Sequence, residues 1–286
     1  MNTHINASIE ASAKHVHDNK LERGMLPVGT RVYITDVGVD PVDDLIEAAR
    51  KVTDMGYSVV PHIPARRIEG LDSLRSRLSG MVNDGGVTDI LVIAGEADEQ
   101  MGPYSSSLEI LQTGLVDELG IRHVGIGGHP EGNPAYGNDD LMTVLKDKVA
   151  FGDRMDAEMR IVTQFGFDGA KFVNWANSVA AEDITLPIHL GVAGPAKITT
   201  LIKYAAMCGV GNSLNFLKKR SSSVFALATK HSPEEVVEPI EQAWLGDPTC
   251  NIEQLHVFPF GGLQSSAEWL DERGSLAFGG PKLALA

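Results

Sequence analysis

The chain has 286 residues, 43% of them hydrophobic and 22% charged, ordinary globular usage that supplies a full core and excludes fibrous and low-complexity readings. With 24 Lys and Arg against 38 Asp and Glu, the net charge of −14 repels phosphate backbones and anionic bilayers, so no nucleic-acid partner is expected. Only Cys208 and Cys250 are present, too few for a disulfide framework or a thiolate metal site. The first residues lack the basic and apolar regions of a secretory signal, and no run of about 18 apolar residues occurs. The expectation is a cytoplasmic chain with no membrane span and two buried thiols.

Eight short apolar runs, rich in β-branched residues and closed by Gly, Pro or polar residues, fall at 6–11, 31–35, 58–62, 89–94, 123–128, 160–165, 185–190 and 254–260. Segments of helical spacing lie between them. Residues 41–55 place Val42, Leu45, Ile46, Ala49 and Val52 at steps of three and four, with Asp40 as the expected cap and Gly56 as the stop. Residues 71–82, 107–119, 139–151 and 195–207 follow similar patterns. Runs such as VYIT and DILVIA are apolar at successive positions, the pattern of parallel strands covered on both faces. Eight of them predict a (β/α)8 barrel, a single domain over 1–286. The long interval between the seventh and eighth runs predicts extra helices or a loop within 209–250. An open doubly wound sheet would carry a glycine fingerprint after its first strand, and the sequence has none.

Barrel enzymes gather reacting groups where strands finish. Six consecutive runs here end in or beside a polar side chain: Glu10, Thr35, His62, Glu96 after Gly95, His129 before Pro130, and Gln164 before Phe165. Two carboxylates in one mouth can act as acid or fix a ring nitrogen, and Gln164 can both donate to and accept from a heterocycle. Arg66 and Arg67, or Lys218 to Arg220, could supply a local anion pocket despite the net charge. Trp175 and Trp244 are expected in the core, and Trp269 is expected to pack a final helix or cover a subunit interface. The glycines of Phe260-Gly-Gly-Leu263 make either a phosphate-approaching loop or a simple tight turn.

In order along the chain, Asn6-Ala-Ser-Ile-Glu10, Pro61-His62, Ile93-Ala-Gly-Glu96, His129-Pro-Glu131, Leu145-Lys-Asp-Lys148-Val and Ile161-Val-Thr-Gln-Phe165 resemble the signatures of the methylenetetrahydrofolate reductase family. The likeness runs from about Ile5 to Leu201. It implies a flavoprotein barrel in which FAD takes hydride from NADH or NADPH and passes it to 5,10-methylenetetrahydrofolate, in one-carbon metabolism serving methionine biosynthesis, within a homo-oligomer. By position it implies Glu10 as general acid, Glu96 between flavin and folate, and Gln164 on the pterin. Thr35, His62, Gly95, His129, Asn133 and Lys148 would line the flavin site, Lys148 facing the pyrophosphate. Phe216 is the candidate for the aromatic that stacks on folate or nicotinamide. Ala94-Gly95-Glu96 stands where the family has Arg-Gly-Asp, His129 replaces a tyrosine, and about five extra residues separate Lys148 from Gln164; these departures imply a divergent branch with a looser hold on FAD, an altered electron donor, or a chiefly reverse, oxidising direction.

Three other readings stand beside it. A metal-dependent amidohydrolase would use His15-Val-His17 with His129 and His189. A pterin-dependent methyltransferase barrel would use the same carboxylates without a flavin. A non-catalytic folate-binding barrel would keep affinity without turnover.

Overall fold

Aliphatic runs bounded by glycine, proline and polar residues become strands in the computed structural model, which describes residues 4–95, 99–133, 138–210, 230–247 and 249–276. The strands are β1 (Ala7–Ser12), β2 (Arg31–Thr35), β3 (Ser58–Pro64), β4 (Asp89–Ile93), β5 (His123–Gly128), β6 (Glu158–Gly166), β7 (Ile188–Ala193), β8 (Ala196–Lys197), β9 (Lys230–His231) and β10 (Ile252–Phe258). Eight of them close a parallel barrel in the order β1-β10-β7-β6-β5-β4-β3-β2, with helices between strands, so the fold is the expected (β/α)8 barrel. The remaining two, β8 and β9, pair antiparallel. They and helix Glu234–Gly246 occupy part of the long interval before β10; 211–229 lie outside the described residues.

Several boundaries depart from expectation for local reasons. Strand β7 starts at Ile188 rather than at 185, because Pro187 has no N–H for the ladder, whereas Ile188 N donates to Asn251 O at 2.8 Å. Pro259 likewise ends β10 at Phe258. The single helix expected over 107–119 is two short ones, Ser107–Leu111 and Leu115–Glu118, separated at Gly114, whose φ of +75° breaks the helical path. Asp40 is not a cap: helix Val42–Asp54 starts from Pro41, whose carbonyl accepts Leu45 N at 3.2 Å. Gly56, at φ +90°, does stop it.

The chain divides into two compact units. One comprises Glu10–Gly127 and Lys146–Ile161. Within it, charged residues at the beginnings of strands form a buried knot: Arg160 on β6 donates to Asp89 on β4 at 2.8 Å and to the Tyr33 hydroxyl on β2 at 2.9 Å, and Arg31 approaches Asp89 at 3.5 Å. Burial pushes the Asp89 carboxyl and the Tyr33 phenol above their ordinary pKa values, although Arg160 opposes it in both. Such residues at the lower end of a barrel serve stability.

The other unit comprises Met1–Ile9, Gly128–Leu145 and Val162–Ala286. Its buried Glu241 accepts from Ile5 N at 2.9 Å and from Arg273 at 3.0 Å, anchoring the chain ahead of β1 to helix Glu234–Gly246. Trp269 packs the helix Leu263–Glu272 against that same helix, its indole donating to Glu234 at 2.8 Å. Trp175, Trp244, Cys208 and Cys250 are half-buried rather than core residues, since each lies at the edge of its element's buried stripe or just beyond the element. A Cβ at Gly261 would sit 2.0 Å from Pro195 O, so the Gly261-Gly262 turn packs against the backbone of Pro195 and Ala196, just after β7. No helix among the described residues is long and apolar enough to cross a membrane.

Candidate functional site

The strand ends of β1 to β4 belong to one unit and carry four of the expected residues. Glu10, four residues into β1, points its carboxylate at His62 on β3, with 3.6 Å between Oε1 and Nε2. Their side chains are only 12% and 8% exposed, so the pair sits largely out of water. Thr35 closes β2 and its hydroxyl donates to Ala11 O at 3.5 Å, next to Glu10. Gly95, just past β4, has a φ of +79°, and a Cβ there would lie 2.6 Å from Pro64 Cβ, so glycine alone fits between β3 and β4 at this level.

Asp36, immediately after Thr35, holds this end together. Its carboxylate accepts Gly38 N at 2.8 Å and pairs with the buried guanidinium of Arg77 from helix Leu71–Asn83. Arg77 also donates to His62 O at 3.2 Å, so it braces the backbone that carries the Glu10 partner. Sequence reading missed this clamp, because nothing in local spacing links residues 36 and 77.

Lys148, on helix Asn138–Gly152, lies in the same unit and is only 9% exposed. Burial alone lowers its pKa from 10.5 to about 8, and among the described residues no carboxylate pairs with it. A buried ammonium without an anion is an incomplete arrangement that a phosphate would complete.

The second unit holds Gln164, His129 and Asn133. The Gln164 side-chain oxygen accepts the N–H of Phe165 at 3.0 Å, which fixes the amide and leaves its NH2 as a donor. Gly191 on β7 passes so close to β6 that a Cβ would meet Thr163 O at 2.5 Å and the Gln164 carbonyl at 2.8 Å. Beyond Gln164 stands an aromatic group that sequence reading did not single out: Phe165 contacts Phe258 and Phe260, and Phe260 stacks on Tyr204 with ring centres 4.2 Å apart. Its signal was the F-x-F pattern of Phe258 and Phe260 at the end of β10. His129 lies just beyond β5 and its carbonyl accepts Gly132 N in a turn that leads to Asn133. Glu96, Phe216 and Lys218 to Arg220 lie outside the described residues.

No family model matches the sequence. Among the solved structures that resemble it are two with the following likeness. A Burkholderia cenocepacia protein provisionally assigned as a lyase/mutase matches over 94% of this chain and 82% of its own, with TM-score 0.50 and 9% identity. The dihydropteroate synthase of Thermus thermophilus matches over 96% and 95%, with TM-score 0.48 and 11% identity. The first likeness is one of fold alone; the second is too distant to add to it.

The histidines of the amidohydrolase reading are engaged separately. His15 Nδ1 accepts Ser12 N at 3.2 Å in the cap of helix Ala13–His17, while His17 faces Asp44 O and Lys51. His189 is fully buried on β7, 3.6 Å from Glu253. Among the described residues no three His, Cys, Asp or Glu side chains are grouped to hold a metal.

Proposed function

We propose that the chain is a barrel enzyme of reduced-folate chemistry: a methylenetetrahydrofolate reductase-like oxidoreductase that moves hydride through FAD between a nicotinamide and methylenetetrahydrofolate. The observation that carries the reading is the secluded Glu10–His62 pair in the later halves of β1 and β3. A protonated carboxyl there gives its proton to the N10 nitrogen of the folate as the bond from N10 to the bridging methylene breaks, leaving the N5 iminium that accepts hydride. His62, 3.6 Å away, closes to hydrogen-bond distance with a small side-chain adjustment and returns a proton to Glu10.

The residues present fit FAD at one testable point, the uncompensated Lys148 ammonium, which suits its pyrophosphate. Thr35, His62 and Gly95, of the same unit as Lys148, would complete the hold, and bound FAD would supply hydride transfer. Gln164 keeps an N–H pair for an acceptor on the pterin edge. Titrating the purified protein with FAD tests the reading. A saturable perturbation of the flavin absorption bands near one equivalent per chain is expected, and unaltered bands would overturn it.

A further inference from the structure

Helix Leu71–Asn83 buries Leu74, Arg77, Leu78 and Met81, so a guanidinium only 5% exposed stands in the middle of an otherwise apolar stripe. Such a place normally takes an aliphatic side chain. Asp36 balances the charge, yet a buried ion pair rarely stabilises a fold more than apolar packing of the same volume would. Arg77 is also incompletely satisfied: among the described residues its buried Nε finds no acceptor. Stability alone therefore does not account for arginine at this position. What arginine adds is a second bond, because the same Nη2 that meets Asp36 donates to His62 O at 3.2 Å.

The chain around His62 has a use for that bond. Strand β3 places Pro61 directly before His62 and Pro64 two residues after it, and neither proline brings an N–H to the sheet. The register of β3 with β2 ends at the pair Ile34 and Pro61, which makes His62 the first residue beyond it. On the other side, β4 goes on to match His62, Ile63 and Pro64 with Leu91, Val92 and Ile93. Arg77 thus takes hold of β3 where its register with β2 stops. The imidazole has a support of its own, since the Tyr33 ring meets it edge-on, with centres 6.2 Å apart and planes at 76°, and the Tyr33 hydroxyl accepts from Arg160 at 2.9 Å. Ring and main chain of His62 are therefore held separately, the ring through β2 and β6, the main chain through helix Leu71–Asn83.

We infer that Arg77, anchored by Asp36, is a positioning residue for the Glu10–His62 pair, fixing the main chain of His62 so that its Nε2 stays within a small adjustment of the Glu10 carboxylate; this rests on the reduced-folate reading and the acid role given there to Glu10. The gap from Oε1 to Nε2 is 3.6 Å, about half an ångström beyond a hydrogen bond. A drift of His62 by about one ångström more takes the pair out of reach for return of a proton to Glu10, and misplacement on that scale costs a reaction about a hundredfold.

Arg77→Met alone strands the Asp36 carboxylate and threatens the fold, so the test combines it with Asp36→Asn, which removes both charges and keeps an oxygen for Gly38 N. On the flavin-free full chain, the imidazole resonances of His62 are recorded by NMR with and without Glu10→Gln. Glu10→Gln should shift them in the otherwise unaltered chain, and the shift should fall by about half or more when the two clamp substitutions are present. An undiminished response overturns the inference and leaves the folate reading standing. The second arm follows reoxidation of the reduced, FAD-loaded protein by methylenetetrahydrofolate. The clamp substitutions should slow it about 10- to 100-fold when Glu10 is present, and less than about twofold beside Glu10→Gln, where no pair is left to position. Equal slowing in both backgrounds marks a general loss of structure and overturns the inference. An unaltered protein that methylenetetrahydrofolate fails to reoxidise, with the NMR response as expected, removes the folate reading and with it the part given to Arg77 in that reaction.

Discussion

Replacing Lys148 by Met separates what the buried ammonium does for the fold from what it does for a ligand. Burial lowers the Lys148 pKa from 10.5 to about 8 with no acidic group among the described residues opposing it. At 1.36 kcal/mol per pKa unit the fall corresponds to roughly 3 kcal/mol against the charged form in the folded state. That penalty is present in full below about pH 8 and is relieved as pH rises from 8 towards 10.5, because over this interval the unfolded chain binds the proton that the folded chain has released. Methionine matches the aliphatic stem and needs no counter-charge. Lys148→Met should therefore raise the stability of the ligand-free protein at pH 7 by about 1–3 kcal/mol, discounted for residual solvent contact, or roughly 2–6 °C in Tm. The gain should shrink between pH 8 and 10. Added FAD, which should raise the Tm of the unaltered protein by mass action, should raise that of the variant much less. Urea denaturation and thermal melts across pH 6–10, each with and without FAD, supply the readout. A Met variant less stable than its parent at pH 7, with a difference insensitive to pH, would show that Lys148 is compensated in the fold and would refute the reasoning.

Glu10→Gln keeps the size of the side chain but cannot give a proton; turnover should fall by about 10²–10⁴ while affinity for reduced folate survives, and parallel loss of both in kinetics and calorimetry would contradict the acid role. Arg160→Met strands Asp89 in the interior, with Arg31 and His123 left beside it, and should lower the urea-derived stability by about 3–5 kcal/mol. In contrast Arg75→Ala, which removes a fully exposed pair with Glu118, should leave the urea midpoint where it is. Gly191→Ala drives a methyl into the β6 backbone at Thr163 and Gln164, and should cost about 1–3 kcal/mol in urea denaturation and weaken pterin binding in the same protein.

The barrel itself was legible because its signal is local. Strands β2 and β5 match their expected limits exactly as runs of apolar residues closed by Thr35 and by Gly128. Where limits slipped, the missed cue was also local: Pro187 and Pro259 forbid the ladder bonds that an earlier start of β7 or a longer β10 would need. The approach of Glu10 to His62 follows from the strand order, in which β1 and β3 flank β2 and so bring side chains of the same level near one another. Contacts that join a strand end to a helix far along the chain were not legible. Asp36 with Arg77, Arg66 with Ala94 and Ser105, and Gly38 beneath Arg67 depend on how loops cross, and neither hydrophobic period nor composition carries that information. Lys148 could be placed on a helix from sequence, but its burial without a counter-ion emerged only from packing.

Anaerobic stopped-flow of the FAD-loaded protein tests the central claim most directly. Mixed first with NADH or NADPH and then with methylenetetrahydrofolate, the flavin should bleach and then recover its oxidised spectrum with formation of 5-methyltetrahydrofolate, the second phase being slowed at least a hundredfold in Glu10→Gln. Reduced flavin that methylenetetrahydrofolate fails to reoxidise, or reoxidation at the same rate with glutamine at position 10, would contradict the account.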